Sequence, residues 1–376
     1  MKLILISLAV LVCSYKAPKT ILVIQHVNFF DGEDYQTNVN VIVEDQLIVD
    51  ITTENNWPAY SIVINGKDRT IIPPLLNAHV HLSGKNQLKE AVRSGVFALL
   101  DMHTTDPVAI ELRQYRNKEG YAFYYSSGPG VTVPGGHGTQ FGVVVPVLDS
   151  LVSPKQFVQD RVANHADYIK ILREPYMTTI NFVQTQQVID ASHENSLLCV
   201  AHISRLDDAM VLAKQKIDGF MHIWHDRKIS KEELDSLFNS KVFIVPTLLV
   251  TQKLLGKVKS PEFLKKLLSF EMILEETQKA YASGIPILAG SDAPNHQINF
   301  GDDLIKELTL LRKAGLPTIE VLKSATSNIY KSFQLKDFGK LKKGAPANFL
   351  LIRGNPVENI EDLIKIESIW QNGKRQ

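Results

Sequence analysis

The stretch Ile72-Pro73-Pro74-Leu75-Leu76-Asn77-Ala78-His79-Val80-His81 decides how the rest of the chain is read. Two prolines stop what precedes it, an apolar run follows, and the run ends on two histidines one residue apart. Residues two apart on a strand point the same way, so both imidazoles can reach one cation. An apolar strand that ends on ligand-type side chains suits an α/β barrel, whose active site is built at the carboxyl ends of its strands.

Outward from this strand the pattern repeats. Strand-like runs fall at 75–81, 96–102, 122–127, 167–172, 198–203, 219–223, 242–248 and 286–292, with amphipathic stretches such as 179–194, 231–239, 262–282 and 303–314 between them. Eight strands alternating with helices predict an α/β fold of the (β/α)8 TIM-barrel type. A doubly wound sheet is the competitor, but no Gly-x-Gly-x-x-Gly opens any of the helices. Short β-branched runs at 20–27, 39–49 and 62–72, and again at 347–352 and 364–371, predict a small β-sandwich built from both chain ends. The expected organisation is a signal peptide at 1–14, a sandwich from 19–73 plus 338–376, and a barrel at 74–337.

The leader rests on Met1-Lys2 and the apolar run Leu3 to Val12, too short to span a bilayer but suited to a signal-peptide core. Val12 and Ser14 fit a cut near Ser14, so the chain is expected to be exported, periplasmic or secreted. Lipid anchoring at Cys13 is disfavoured by the size of Val12. No later stretch reaches transmembrane length. Lys plus Arg is 41 against 40 Asp plus Glu, a balance that steers no nucleic acid to the surface. The two cysteines, Cys13 and Cys199, exclude a disulfide scaffold or a Cys-rich zinc module. A small-molecule substrate fits this surface, and a homo-oligomer is compatible with it.

The other strand ends carry the chemistry. Strand 5 ends at His202, strand 6 at His222, strand 8 at Asp292, and strand 4 holds Lys170 in an apolar run. Each has a structural alternative: a lone barrel histidine is commonly a satisfied core group, Asp292 could cap the next helix, and Lys170 could snorkel. Their joint placement at one end of five strands favours a metal centre. Imidazole and carboxylate without thiolate suit Zn²⁺, Mn²⁺, Fe²⁺ or Ni²⁺, with zinc the default. A lysine ammonium cannot ligate, but carboxylated by CO₂ it becomes an anion able to bridge two metals.

The order His-x-His, Lys, His, His, Asp resembles the amidohydrolase superfamily, in its binuclear branch with a carboxylated lysine. The Ile72–His81 stretch resembles that family's first barrel strand, and Asp218-Gly219-Phe220-Met221-His222 its sixth. Ala325-Thr326 and Gly339 through Asn348 resemble its return into the end sheet. The imidazolonepropionase-like subgroup, with its prolidase-type peptidases, is most similar. The resemblance implies two divalent metals: His79, His81 and Asp292 on the more buried, His202 and His222 on the more exposed, and carboxylated Lys170 between them. It further implies a shared hydroxide that attacks an amide or other C–N bond of a dipeptide, N-acyl amino acid or cyclic amide. Asp292 then acts as general base and afterwards as general acid.

Two departures concern support more than chemistry: Leu100 precedes Asp101 where the family often has Arg, and Asn348 stands where Asp is common. The glycine-rich loop Gly128 to Gly138 suggests His137 as a substrate contact, and His225 could reach the same mouth. A phosphotriester or lactone is an alternative substrate for such a hydroxide. A mononuclear deaminase is disfavoured, because that branch usually lacks the strand 4 lysine and has Glu at the place of Arg205. A metal-free scaffolding relative is disfavoured by the survival of all six positions.

Overall fold

The structure is a computed structural model that describes residues 20–257, 267–336 and 338–376. The expected leader at 1–14 and the expected start of a helix at 262 lie outside these residues.

The described chain opens with β1 (Ile21–Phe30), β2 (Tyr35–Glu44), β3 (Leu47–Thr52), β4 (Ile62–Asn65) and β5 (Arg69–Ile72). The single strand expected at 62–72 is two, because a turn closes from Arg69 N to Gly66 O. Each piece then pairs in parallel with a different half of β1.

The middle of the chain supplies β6 (Leu75–Val80), β7 (Val96–Asp101), β8 (Phe123–Ser126), β9 (Ile169–Leu172), β10 (Cys199–His202), β11 (Gly219–Met221) and β12 (Phe243–Val245). All their pairings are parallel, in the orders β6-β7-β8 and β9-β10-β11-β12. Helices alternate with these strands, as expected. The helix expected from 179 begins at Phe182, because Asn181 closes a capping box with Gln184. The eighth run, 286–292, forms isolated bridges instead of a regular strand. Ile287 pairs with Ile244 and Ala293 with Val80, while Asp292 N donates to His79 O at 2.8 Å. A bridge from Val131 to Ile171 joins the two sheets on the other side.

This is a TIM-barrel-like α/β arrangement with an additional β layer. That layer is one eight-stranded sheet in the order β15-β14-β13-β5-β1-β2-β3, with β4 beside β1. Its last three strands are β13 (Phe349–Arg353), β14 (Ile366–Gln371) and β15 (Lys374–Arg375), so both chain ends build it.

Alternation along the strands separates two cores. Leu76, Ala78, Ala98, Leu100, Val200, Met221, Phe243, Val245 and Leu288 pack together on the inner side. Phe97, Leu99, Ile169, Ile171, Cys199, Ala201, Phe220, Ile244 and Ile287 pack against the helices. Lys170 therefore has inward parity, and so does His202.

Candidate metal centre

Strict alternation does not by itself deliver every candidate side chain. With Leu76 and Ala78 inside, His79 would face the helices. A register shift between Asn77 and Val80 puts Val80 in the outer core and turns His79 and His81 inward. His222 follows the inward Met221 and regains the interior through a left-handed backbone at φ +89°. Asp292 is left-handed too, at φ +61°. Such backbone in non-glycine residues costs about 1–3 kcal/mol and concentrates at functional sites.

The side chains converge. Asp292 Oδ1 lies 3.1 Å from His81 Nε2 and 3.4 Å from His79 Nε2. One donor atom from each of these three residues falls within 4.8 Å of the others, a grip suited to one cation. His202 and His222 are outside that group but next to it. Ring centroids are 4.8 Å apart for His79 and His222, 4.6 Å for His222 and His202, and 4.4 Å for His202 and His137. Lys170 is buried among them, and its charge acts on His79, His81, His202 and His222.

Hydrogen bonds constrain the protons of three rings. His81 Nδ1 lies 3.1 Å from the carbonyl of His103, which only accepts, so Nδ1 carries a proton while Nε2 faces the Asp292 carboxylate. Thr247 donates its one hydroxyl proton to Pro246 O, so its Oγ1 accepts from His222 Nδ1 at 2.6 Å, leaving the lone pair on Nε2. His202 Nε2 faces the Glu174 carboxylate at 3.2 Å, which leaves Nδ1. The fourth ring, His79, is buried and its Nδ1 has no partner.

Electrostatics favour ligating forms. Burial, reinforced by Lys170 or by neighbouring histidines, holds His79 and His222 well below the usual imidazole range. Burial also lowers His202. Burial opposes charge on His81 as well, but the bond and charge of Asp292 outweigh it and raise that ring. Burial drives the Lys170 amine well below its ordinary value, towards the neutral form. Three imidazoles and an amine pushed towards their neutral forms, beside a carboxylate, suit a divalent cation.

His137 and His225 differ in placement. Burial and then the neighbouring His202 push His137 down to about 2, and its Nδ1 is 3.1 Å from Gln140 Nε2. It stands on the glycine-rich loop beside the His202 ring, with Phe141 edge-on at 5.9 Å. At Gly138, φ +97°, a Cβ would lie 2.6 Å from Leu172, so the loop closes tightly only with glycine there. His225 is half-buried on the loop after His222, tied by its backbone to Ser204 and Leu268 and outside the row of stacked rings. His193 bonds Asp218 at 2.9 Å, away from the centre.

Several supporting residues carry no signal in the sequence. Glu174 and Thr247 act on His202 and His222 as described. Asn77 bonds Ser291 through both side-chain ends, at 2.8 and 3.0 Å, joining the two segments that bear His79 and Asp292. Asp101 accepts from Tyr124 at 2.8 Å, and burial raises its pKa to about 6. His103, lowered to about 4 by burial and then by His81, accepts from Gly130 N at 2.9 Å and so ties the loop to β7. A polar residue bounded by apolar neighbours, as Asp101 is, was the one available hint.

Residues 70–375 match the amidohydrolase family. The chain belongs to that family. It is thereby a metal-dependent hydrolase of carbon–nitrogen bonds. Among solved structures, a Xaa-Pro dipeptidase with bound methionine covers 96% of this chain and 100% of its own, with TM-score 0.77 and 19% identity. The ochratoxinase of A. niger covers 96% of each chain, with TM-score 0.78 and 17% identity. At such identities the likeness establishes the fold, and it agrees with the prolidase-type resemblance. A 5-methylthioadenosine/S-adenosylhomocysteine deaminase of Dictyoglomus turgidum is 32% identical over 62 residues, 16% of this chain and 15% of that protein. The match thus spans less than a sixth of that relative.

Proposed function

We propose that the chain hydrolyses an amide of a small substrate, a dipeptide, an N-acyl amino acid or a cyclic amide, at a two-cation centre. The centre would sit at the mouth of a closed eight-stranded barrel formed by residues 74–337, with the sheet from 19–73 and 338–376 as support. Support for closure comes from the bridges Ile244–Ile287, Val80–Ala293 and Val131–Ile171. The observation that carries the proposal is the convergence of His79, His81, His202, His222 and Asp292 around a buried Lys170 whose amine burial drives towards the neutral form.

When bound, two divalent cations, zinc by donor chemistry, would supply a nucleophile at neutral pH and polarise the scissile carbonyl. His79, His81 and Asp292 would hold one, and His202 and His222 the other. A neutral Lys170 Nζ could attack CO₂, the N–C bond forming as one C–O π bond opens onto oxygen and the amine proton passes to solvent; the resulting anionic carbamate would join the residues that hold the cations. Asp292 accepts the proton of the attacking water and returns it to the leaving nitrogen, as general base and then general acid. Asn295 Nδ2, donating to Asp292 Oδ1 at 3.0 Å, fixes that carboxylate's orientation. His137 and His225 would contact the substrate from the two loops that flank His202. Export, with cleavage near Ser14, belongs to the same proposal on the character of residues 1–14.

The test is metal analysis of protein prepared with bicarbonate, together with Lys170→Ala. Two equivalents in the wild type, with metal and amidase activity both collapsing in the variant, are expected. The compact His79–His81–Asp292 group favours a second reading, a single-cation hydrolase. One equivalent, unchanged by the substitution, would establish that reading and refute the first.

A further inference from the structure

We propose that Glu174 is a positioning residue for the exposed half of the centre, holding the His202 ring so that Nδ1 faces the cation. This rests on the two-cation proposal above. Glu174 lies two residues beyond β9, and β9 and β10 pair so that Leu172 stands opposite His202. The two strand ends therefore bring the carboxylate and the ring to the same edge.

The carboxylate is fixed before the ring is considered. Its Oε1 accepts from Ser204 Oγ at 2.9 Å and from Tyr176 N at 3.1 Å, while its own backbone N donates to Thr179 Oγ1 at 3.0 Å. Ser204 is two residues past His202, so one short loop supplies both the ring and the hydroxyl that aims its partner. Oε2 remains for His202 Nε2, at 3.2 Å. A carboxylate of this kind can only accept, so Nε2 carries the proton and Nδ1 the lone pair. Burial opposes the charge of Glu174, but His202, the Tyr176 amide and Ser204 together hold its pKa below the usual carboxylate range.

The competing role is capture of a substrate ammonium. Both oxygens are already engaged by groups of the chain, which favours orientation over recognition. Such outer partners of ligating histidines typically carry about 10–100-fold in metal affinity.

The experiment uses the full chain and its Glu174→Gln and Glu174→Ala variants, reconstituted with zinc in bicarbonate and titrated against a chromophoric chelator. The wild type is expected to take two ions, and the weaker is expected to lose about 10–100-fold in Glu174→Ala while the tighter is unchanged. Glu174→Gln, isosteric and still able to accept, should keep the fold and fall between them. In metal-free ¹⁵N-histidine-labelled protein, the His202 signal, assigned by its loss in His202→Asn, should be the Nε2–H tautomer and become mixed in Glu174→Ala. An unchanged second affinity or an unchanged tautomer overturns the proposal. So does intact zinc binding with KM raised only for substrates bearing a free ammonium, which would make Glu174 a substrate contact. A wild type that takes fewer than two ions refutes the two-cation centre itself, a result distinct from unaltered variants of a two-ion protein.

Discussion

Glu307→Gln probes the support of the centre through pH. Glu307 is fully buried on the helix Asp303–Lys313, and its two oxygens accept from Leu248 N at 2.8 Å and Leu249 N at 2.7 Å. Those amides open the helix Leu248–Leu255, directly after Thr247, the partner of His222. Burial raises the Glu307 pKa from the usual 4.5 to about 8, against the two backbone bonds. Between those values the folded chain holds a proton that the unfolded chain has released. The contribution of Glu307 to stability is therefore fully present below pH 4.5 and is lost as pH rises through 8. One proton changes stability by about 1.4 kcal/mol per pH unit, so the whole window is worth about 5 kcal/mol. Other groups titrate over the same range, so the quantity to follow is wild type minus Glu307→Gln. Urea unfolding, read by the fluorescence of buried Trp224 at equal metal content, should show this difference falling by about 3 kcal/mol from pH 5.5 to pH 7.5. A difference flat to within about 0.5 kcal/mol, the usual scatter of additivity, would refute a raised Glu307.

Thr247→Val removes the hydroxyl that orients His222, and zinc titration should show about 10–100-fold weaker binding of one ion with the fold retained by circular dichroism. Gly290→Ala would place a Cβ 2.4 Å from Val245 and 2.8 Å from the Cβ of His79, so it should destabilise by about 1–3 kcal/mol and depress metal uptake, measured by thermal melts and metal analysis. Cys199 is fully buried and its thiol is pushed up by burial, so a thiol reagent at pH 8 should modify it only after unfolding. N-terminal sequencing of exported protein should find a chain that begins close to residue 15; retention of Met1 on the exported form would refute cleavage.

Much of the centre was legible because its signals are local. His79 and His81 end an apolar strand, Lys170 interrupts one, and His202, His222 and Asp292 close other apolar runs, so strand count and these polar interruptions sufficed to single them out as candidates. Parity alone would have misdirected three of them. The register shift after Asn77 and the left-handed backbone of His222 are responses to neighbouring strands, which no local pattern encodes. The eighth strand was legible as an apolar run, yet it makes only isolated bridges with β12 and β6.

By itself the sequence determined the donor types, their order and the strand that bears each, because apolar periodicity and its polar interruptions are properties of adjacent residues. Tertiary structure alone decided which nitrogen each ring presents and what holds it there. Glu174 meets His202 across 28 residues, Thr247 meets His222 across 25, and Glu307 reaches Leu249 across 58. A hydrogen bond between such residues exists only once the strands and helices that carry them have packed. Chain order can name the candidate donors of this centre, but folding aims them.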